Sequence, residues 1–133
     1  MQAETRVGID HEADIVAARQ KGRELATQAG FPASDATLIA TAISEVARNI
    51  VVYAQRGEVL LDLVREGTRR GIRIVARDHG PGIPDVELAL QDGYSTGRSL
   101  GLGLPGARRI VDEFEIRSEV GHGTTVTMRK WLP

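Results

Sequence analysis

Glu45 and Asn49 are a pair of polar residues whose types and spacing suit catalysis. They are four residues apart in a segment with helical periodicity, so both side chains project from one face of a helix, one turn apart. The amide oxygen of Asn49 can bind a hard cation, and the carboxylate of Glu45 can act as a general base toward a hydroxyl group or water. The pair is also compatible with a solvated helix face.

Asp78 ends an apolar segment and is followed by two glycines and two prolines, in the order Asp-His-Gly-Pro-Gly-Ile-Pro. Glycine permits a tight backbone path near a ligand, and proline makes that path rigid. An aspartate in this position can accept a hydrogen bond from an exocyclic amine such as that of a purine. An ordinary Asx turn at the end of a strand is the alternative, and the second glycine-proline pair favours a ligand site.

The segment from Gly101 to Gly106 matches the dinucleotide-binding pattern G-x-G-x-x-G. The match lacks the required context, because this pattern follows a buried strand near the start of a βαβ unit, whereas here it follows a polar segment near the end of the chain. Glycines that open a helix nevertheless expose backbone N–H groups to phosphate. A simple glycine-rich helix entry is the alternative, and the absence of G-x-x-x-x-G-K-[ST] excludes a P-loop.

Two further segments contain candidate ligand contacts. Arg98 lies in the polar loop before the glycine run, where an arginine can close over a γ-phosphate, although loop arginines are commonly only solvated. Thr124 and Thr125 follow the Gly-His-Gly turn at 121–123, and either hydroxyl can reach a base or a bridging water. A glycine-flanked hairpin with β-branched residues explains the same pattern without a ligand.

The elements that must position these residues follow from hydrophobic periodicity. Helical spacing predicts helices over 14–29, 38–51 after cap residues at 32–35, 86–91 and 105–114. Strand patterns occur at 6–10, 59–64, 72–76, 115–119 and 124–131, with turns over 66–71 and 121–123. Two hairpins and an N-terminal strand, interrupted by helices, predict a mixed sheet with helices on one face.

Composition limits the functional classes. The chain of 133 residues predicts one domain over 1–133. Seventeen Lys and Arg against eighteen Asp and Glu leave a net charge of -1, which gives no general attraction to nucleic acid or to a membrane surface. The absence of cysteine excludes thiol nucleophiles and thiolate zinc sites. The first residues lack the apolar run of a signal peptide, which predicts a cytoplasmic protein.

Taken in chain order, the motifs resemble the four boxes of the Bergerat-fold (GHKL) ATPases, a superfamily that includes gyrase, Hsp90, MutL and histidine kinases. The motifs are Glu45-x-x-x-Asn49, Asp78-x-Gly80-x-Gly82, Gly101-x-Gly103 and Gly123-Thr124. Within that superfamily, the short chain and the segments 14–19, 43–49, 78–84 and 130–132 resemble the stressosome switch kinases. The resemblance covers essentially the whole chain. It implies an α/β two-layer sandwich, a mixed and mainly antiparallel sheet with helices on one face, and ATP held between the helices and a lid.

The resemblance also implies residue roles. Glu45 is the expected catalytic base, Asn49 the expected Mg²⁺ ligand, and Asp78 the expected partner of the adenine amine. The full set of expected nucleotide contacts is Asn49, Asp78, Gly80, Gly82, Ile83, Thr96, Gly97, Arg98, Gly101, Leu102, Gly103, Leu104, Thr124 and Thr125. The expected cofactors are ATP and Mg²⁺.

The implied activity is transfer of the γ-phosphoryl group to Ser or Thr of a STAS-domain antagonist and of its scaffold, after which the released kinase activates an effector such as a PP2C-type phosphatase. A carboxylate at Glu45 suits a hydroxyl acceptor. The alternatives are an anti-sigma factor of the same fold that binds a sigma factor directly, a module that binds ATP without transferring phosphate, and an autonomous ATPase. No partner among nucleic acids or membranes is expected.

Overall fold

The computed structural model describes residues 4–90 and 103–133, with the side chain of residue 88 excepted. Five strands and four helices occur in these ranges. In chain order they are β1 (Thr5–Ile9), α1 (Glu12–Ala29), α2 (Ala33–Tyr53), β2 (Gly57–Glu66), β3 (Arg69–Asp78), α3 (Val86–Ala89), α4 (Gly103–Ile110), β4 (Glu113–Glu119) and β5 (Gly123–Trp131). The two layers are the sheet and the helices that pack on one of its faces, as the sequence predicts.

The five strands form one sheet in the order β1-β2-β3-β5-β4. Every strand pairing in the described ranges is antiparallel, so the parallel component of the predicted mixed sheet is not seen there. For two of these pairings, β2 with β3 and β4 with β5, the reason is that successive strands joined by a tight turn can only be antiparallel neighbours. The β3–β5 pairing places the end of β3 beside the start of β5.

The core lies between the sheet and the α1–α2 pair, and α2 is its central helix. Ten of the 21 residues of α2 are buried, including Ile39, Ile43, Val46 and Ile50. On the sheet, alternate residues such as Val59, Leu61, Ile72 and Ile74 are buried against the helices. In length and hydropathy α2 also satisfies the criteria for a membrane span, but a buried core helix of this kind meets the same criteria.

Most predicted boundaries shift by a few residues at one or both ends, and two of the differences have a clear physical cause. The first hairpin turn is only Gly67–Thr68, because Glu66 and Arg69 still pair across the strands. The last helix ends at Ile110 rather than at 114, since the N–H of Asp112 donates to the carbonyl of Arg129 on β5 and the Asp112 carboxylate accepts the N–H of Trp131. These hydrogen bonds to β5 therefore end the helix and begin β4.

Candidate functional site

Glu45 lies on the inner side of α2 and is only 6% exposed. Its Oε1 accepts a hydrogen bond from the backbone N–H of Gly103 at 2.8 Å, and its Oε2 lies 3.4 Å from Nη1 of Arg48. A buried carboxylate requires such partners. The alternative of a solvated helix face is therefore wrong for Glu45, which instead connects α2 to the first residue of α4.

The start of α4 retains part of the predicted glycine run. Gly103 has a φ of 67°, a left-handed conformation that favours glycine. Leu104 is 6% exposed and belongs to the hydrophobic core, so its side chain anchors α4 against the rest of the domain. Five of the predicted contacts lie outside the described residues: Thr96, Gly97, Arg98, Gly101 and Leu102.

Asp78, the last residue of β3, is 7% exposed and faces the helix layer. Its Oδ1 accepts the backbone N–H of Gly80 at 2.8 Å and that of Thr124 at 3.2 Å. The first bond is the Asx turn that the sequence left as an alternative, and the second fixes the carboxylate to β5. Both bonds end on Oδ1, which leaves Oδ2 as the oxygen that can accept an amine.

Gly80 and Gly82 are required by the fold itself. A Cβ on Gly80 would lie 2.5 Å from Cβ of Ala54, the residue after α2, and a Cβ on Gly82 would lie 2.5 Å from the carbonyl oxygen of Glu119. Gly82 also has a φ of 80°. The close approach that these glycines allow is thus between protein segments, and a contact of either glycine with a ligand stays a prediction.

The loop after β3 is fastened to the β4–β5 hairpin. The N–H of Ile83 donates to Oγ of Ser118 at 2.7 Å, and that Oγ lies 2.8 Å from Oγ1 of Thr124. Thr124 is buried on the same side of the sheet as Asp78, whereas Thr125 is paired with Arg77 and projects to the opposite face. Of the two predicted threonines, only Thr124 is beside Asp78. The expectation that Thr125 also contacts this site is therefore corrected.

Ser118 was missed by the sequence analysis, because its position in β4 becomes informative only once the register of β4 on β5 is known. The sequence analysis also assigned no role to Arg48, although its i, i+3 spacing from Glu45 is the signal that identifies it as the partner of that carboxylate.

The C-terminal half of α2 lies against both groups of predicted residues, those at the start of α4 and those in the loop after β3. Glu45 contacts α4, and Ala54, directly after α2, packs against Gly80. Asn49 lies between these points and is half-buried. A Mg²⁺ ion that is bound mainly by nucleotide phosphates needs only one or two protein oxygens, so a single amide at Asn49 fits this role. No cluster of three or more His, Cys, Asp or Glu occurs within residues 4–90 and 103–133 to offer a metal site made entirely of protein ligands.

A cavity of about 570 Å³ lies between the segment that joins α2 to β2 and the end of β3, and Glu58, Arg77 and His79 are among its lining residues. A hydrogen bond from Arg77 lowers the pKa of Glu58, and the charge of Arg6 lowers it further. The carboxylate is therefore ionised and already neutralised by arginines. None of the predicted site residues lines this cavity, and it is therefore not the candidate site. The candidate site is the region between Glu45, Asn49, Asp78 and Thr124, whose contacts are described above.

The fold and this arrangement define a class of protein. The family of histidine kinase-like ATPase domains matches residues 10–130, and the chain belongs to this family. The chain is 47% identical over 132 residues to the serine/threonine-protein kinase RsbT of Bacillus subtilis, with 99% of each chain covered. It is also 34% identical over 103 residues to an anti-sigma F factor of Anoxybacillus flavithermus, covering 72% of this chain and 69% of that one.

Solved structures support the same fold. A Mycobacterium tuberculosis protein whose RsbU and RsbW domains were crystallised superposes with a TM-score of 0.69 at 22% identity, covering 99% of this chain and 34% of that chain. The mycobacterial sensor histidine kinase MprB gives a TM-score of 0.58 at 16% identity, covering 98% and 99%. The predicted family, the α/β sandwich and the enzyme class, an ATP-dependent protein serine/threonine kinase, are confirmed.

Proposed function

We propose that this kinase transfers the γ-phosphoryl group of Mg-ATP to a Ser or Thr hydroxyl of a STAS-domain protein in a bacterial stress-signalling partner switch. The observation that carries the proposal is the buried Glu45 carboxylate, 2.8 Å from the first amide of α4. It supports a role for Glu45 as the base, next to the helix whose preceding glycines suit phosphate binding. The similarity to RsbT supports the proposal further, because it covers 99% of the chain at 47% identity.

In this mechanism Glu45 takes the proton of the acceptor hydroxyl. The hydroxyl oxygen bonds to the γ-phosphorus, the bond from that phosphorus to the bridging oxygen breaks, and ADP leaves. The γ-phosphoryl group carries its charge on three oxygens, so positioning and electrostatic stabilisation dominate such reactions. Arg48, 3.4 Å from Glu45, holds the carboxylate in place. Asn49 would hold the Mg²⁺ that accompanies ATP.

Asp78 selects the base in this proposal. Its Oδ1 is held by the N–H groups of Gly80 and Thr124, which leaves Oδ2 for the exocyclic amine of adenine. A guanine would present its O6 acceptor to the same carboxylate, and two acceptors repel each other. The site is therefore specific for adenine nucleotides.

The proposed partners are a STAS-domain antagonist and its scaffold as substrates, and a PP2C-type phosphatase or other signalling enzyme as effector. The support is that the relative with 47% identity is a serine/threonine-protein kinase, and that an RsbW domain of the same fold occurs on one chain with an RsbU domain. We also propose that residues 1–133 form a single domain and that the protein acts in the cytoplasm.

The test is a transfer assay with γ-labelled ATP, Mg²⁺ and purified STAS-domain proteins from the same organism, followed by mass spectrometry of the labelled residue. We expect label on Ser or Thr, and none with Glu45→Gln. This variant is well matched, because the amide oxygen can still accept the Gly103 N–H while it can no longer take a proton. Transfer at the wild-type rate by Glu45→Gln would refute the role of the base.

An anti-sigma factor is the second candidate, because two anti-sigma F factors match 71% and 72% of this chain at 33% and 34% identity. Co-elution of the purified chain with a sigma factor in the presence of ATP would support it. ATP binding without transfer to any protein would instead indicate a non-catalytic module, and release of labelled phosphate without an acceptor would indicate an autonomous ATPase.

A further inference from the structure

Ser118 lies at the centre of a hydrogen-bond network to which the proposed function gives no role. Its Oγ accepts the N–H of Ile83 at 2.7 Å, lies 2.8 Å from Oγ1 of Thr124, and lies 3.3 Å from the carbonyl oxygen of Gly123, to which it can donate. The network joins β4, the start of β5 and the loop after β3. It therefore holds together the segments on either side of Asp78.

The number of protons in this network limits the direction of its bonds. A hydroxyl group has one proton and two lone pairs, and the Ile83 N–H already uses one lone pair of Ser118. In one arrangement Ser118 donates to Gly123 and accepts from Thr124, so that Thr124 offers a ligand only an acceptor. In the other Ser118 donates to Thr124, whose own proton is then available to a ligand.

Both arrangements keep the short bond between the two hydroxyls, and the second gives up only the longer bond to Gly123. O–H···O bonds are most favourable near 2.7–2.8 Å, roughly the distance between Ser118 and Thr124. Changing from the first arrangement to the second therefore costs little when a ligand offers Thr124 a new acceptor.

We propose that Ser118 is a positioning residue for the nucleotide base: by donating to Thr124 it fixes the direction of the Thr124 hydroxyl, whose own proton then points to a ring nitrogen of adenine. This inference rests on the proposed function, in which Asp78 accepts the exocyclic amine. The ring nitrogens on either side of that amine, N1 and N7, are both acceptors. Thr124 is fixed beside the carboxylate by its own N–H, 3.2 Å from Asp78 Oδ1.

The test measures dissociation constants by calorimetry for ATP, 1-deaza-ATP and 7-deaza-ATP, with the wild-type chain and with Ser118→Ala. We expect the variant to bind ATP about 3- to 10-fold more weakly, the effect of one net hydrogen bond. We expect no such loss for the analogue that lacks the contacted ring nitrogen, and the same loss as for ATP with the other analogue.

Three variants serve as controls, with folding followed by the fluorescence of Trp131, the only tryptophan. Ser118→Thr keeps the hydroxyl and should restore ATP affinity. Thr124→Val should lose at least as much affinity, and adding Ser118→Ala to it should have no further effect, because Ser118 acts on the base only through the Thr124 hydroxyl. If Ser118→Ala does not fold, Ser118→Cys replaces it, since a thiol is a weak acceptor for Ile83 and a poor donor to Thr124.

Equal weakening of ATP and both analogues by Ser118→Ala would overturn the inference, because it would show a purely structural role. Unchanged affinity for ATP would also overturn it. In either case the proposed function stands as long as the wild-type chain binds ATP and Asp78→Asn binds it roughly a hundredfold more weakly. Failure of the wild-type chain to bind ATP would overturn both.

Discussion

Asp78→Asn separates the structural role of this carboxylate from its proposed role in binding the base. Oδ1 accepts two backbone N–H groups, from Gly80 and Thr124, and the amide oxygen of asparagine can accept both. The position of Oδ2 becomes an NH₂ group, which would face the exocyclic amine of adenine. The substitution therefore changes an acceptor into a donor only on the side that faces the ligand.

The expected magnitude follows from these contacts. Loss of a hydrogen bond to a charged acceptor costs about 1.5–3 kcal/mol, and a donor that faces another donor adds about 1 kcal/mol. Together these give about 3 kcal/mol, or roughly a hundredfold in the dissociation constant for ATP. Asp78→Ala differs because it leaves two N–H groups without an acceptor, at about 1–3 kcal/mol each, and we expect it to lower the melting temperature by several degrees.

The assay combines calorimetric titration with ATP and thermal unfolding followed by Trp131 fluorescence. We expect Asp78→Asn to unfold within about 2 °C of the wild-type chain, since it makes no large change in buried contacts, and to bind ATP roughly a hundredfold more weakly. The reasoning is refuted if Asp78→Asn binds ATP within a factor of about two of wild type, or if it destabilises the fold as much as Asp78→Ala does.

Three further predictions concern the helices. Glu45→Ala should abolish transfer in the labelling assay yet bind ATP at least as tightly as wild type by calorimetry, because it removes negative charge beside the first amide of α4. Gln55→Gly should raise the free energy of unfolding by about 0.5–1 kcal/mol in urea titrations, because exposed Gln55 has a φ of 70° after α2. Hydrogen bonds from the backbone N–H groups of His11 and Asp10 lower the pKa of Asp14 below its usual value of 3.8. The wild-type chain should therefore melt higher than Asp14→Ala above about pH 4, and this difference should disappear as the pH falls through the lowered pKa.

The sequence predicted most elements and several of the residues that compose the site. The i, i+4 spacing of Glu45 and Asn49 fixes them on one helix face, and the strand that ends at Asp78 was recognised from its apolar pattern and the glycines that follow. The errors arose where distant segments decide local structure. The last helix is shorter than predicted because Asp112 bonds to β5, and Thr125 faces away from Asp78 because of the strand register.

What the sequence determined by itself is therefore local: which residues share a helix face, where strands end, and where glycines permit unusual backbone conformations. Only the tertiary structure decided which of these residues meet. Glu45 bonds to Gly103 across 58 residues, Asp78 to Thr124 across 46, and Ile83 to Ser118 across 35. Such contacts depend on strand order, register and helix packing together, and periodicity along the chain carries no information about distances across it.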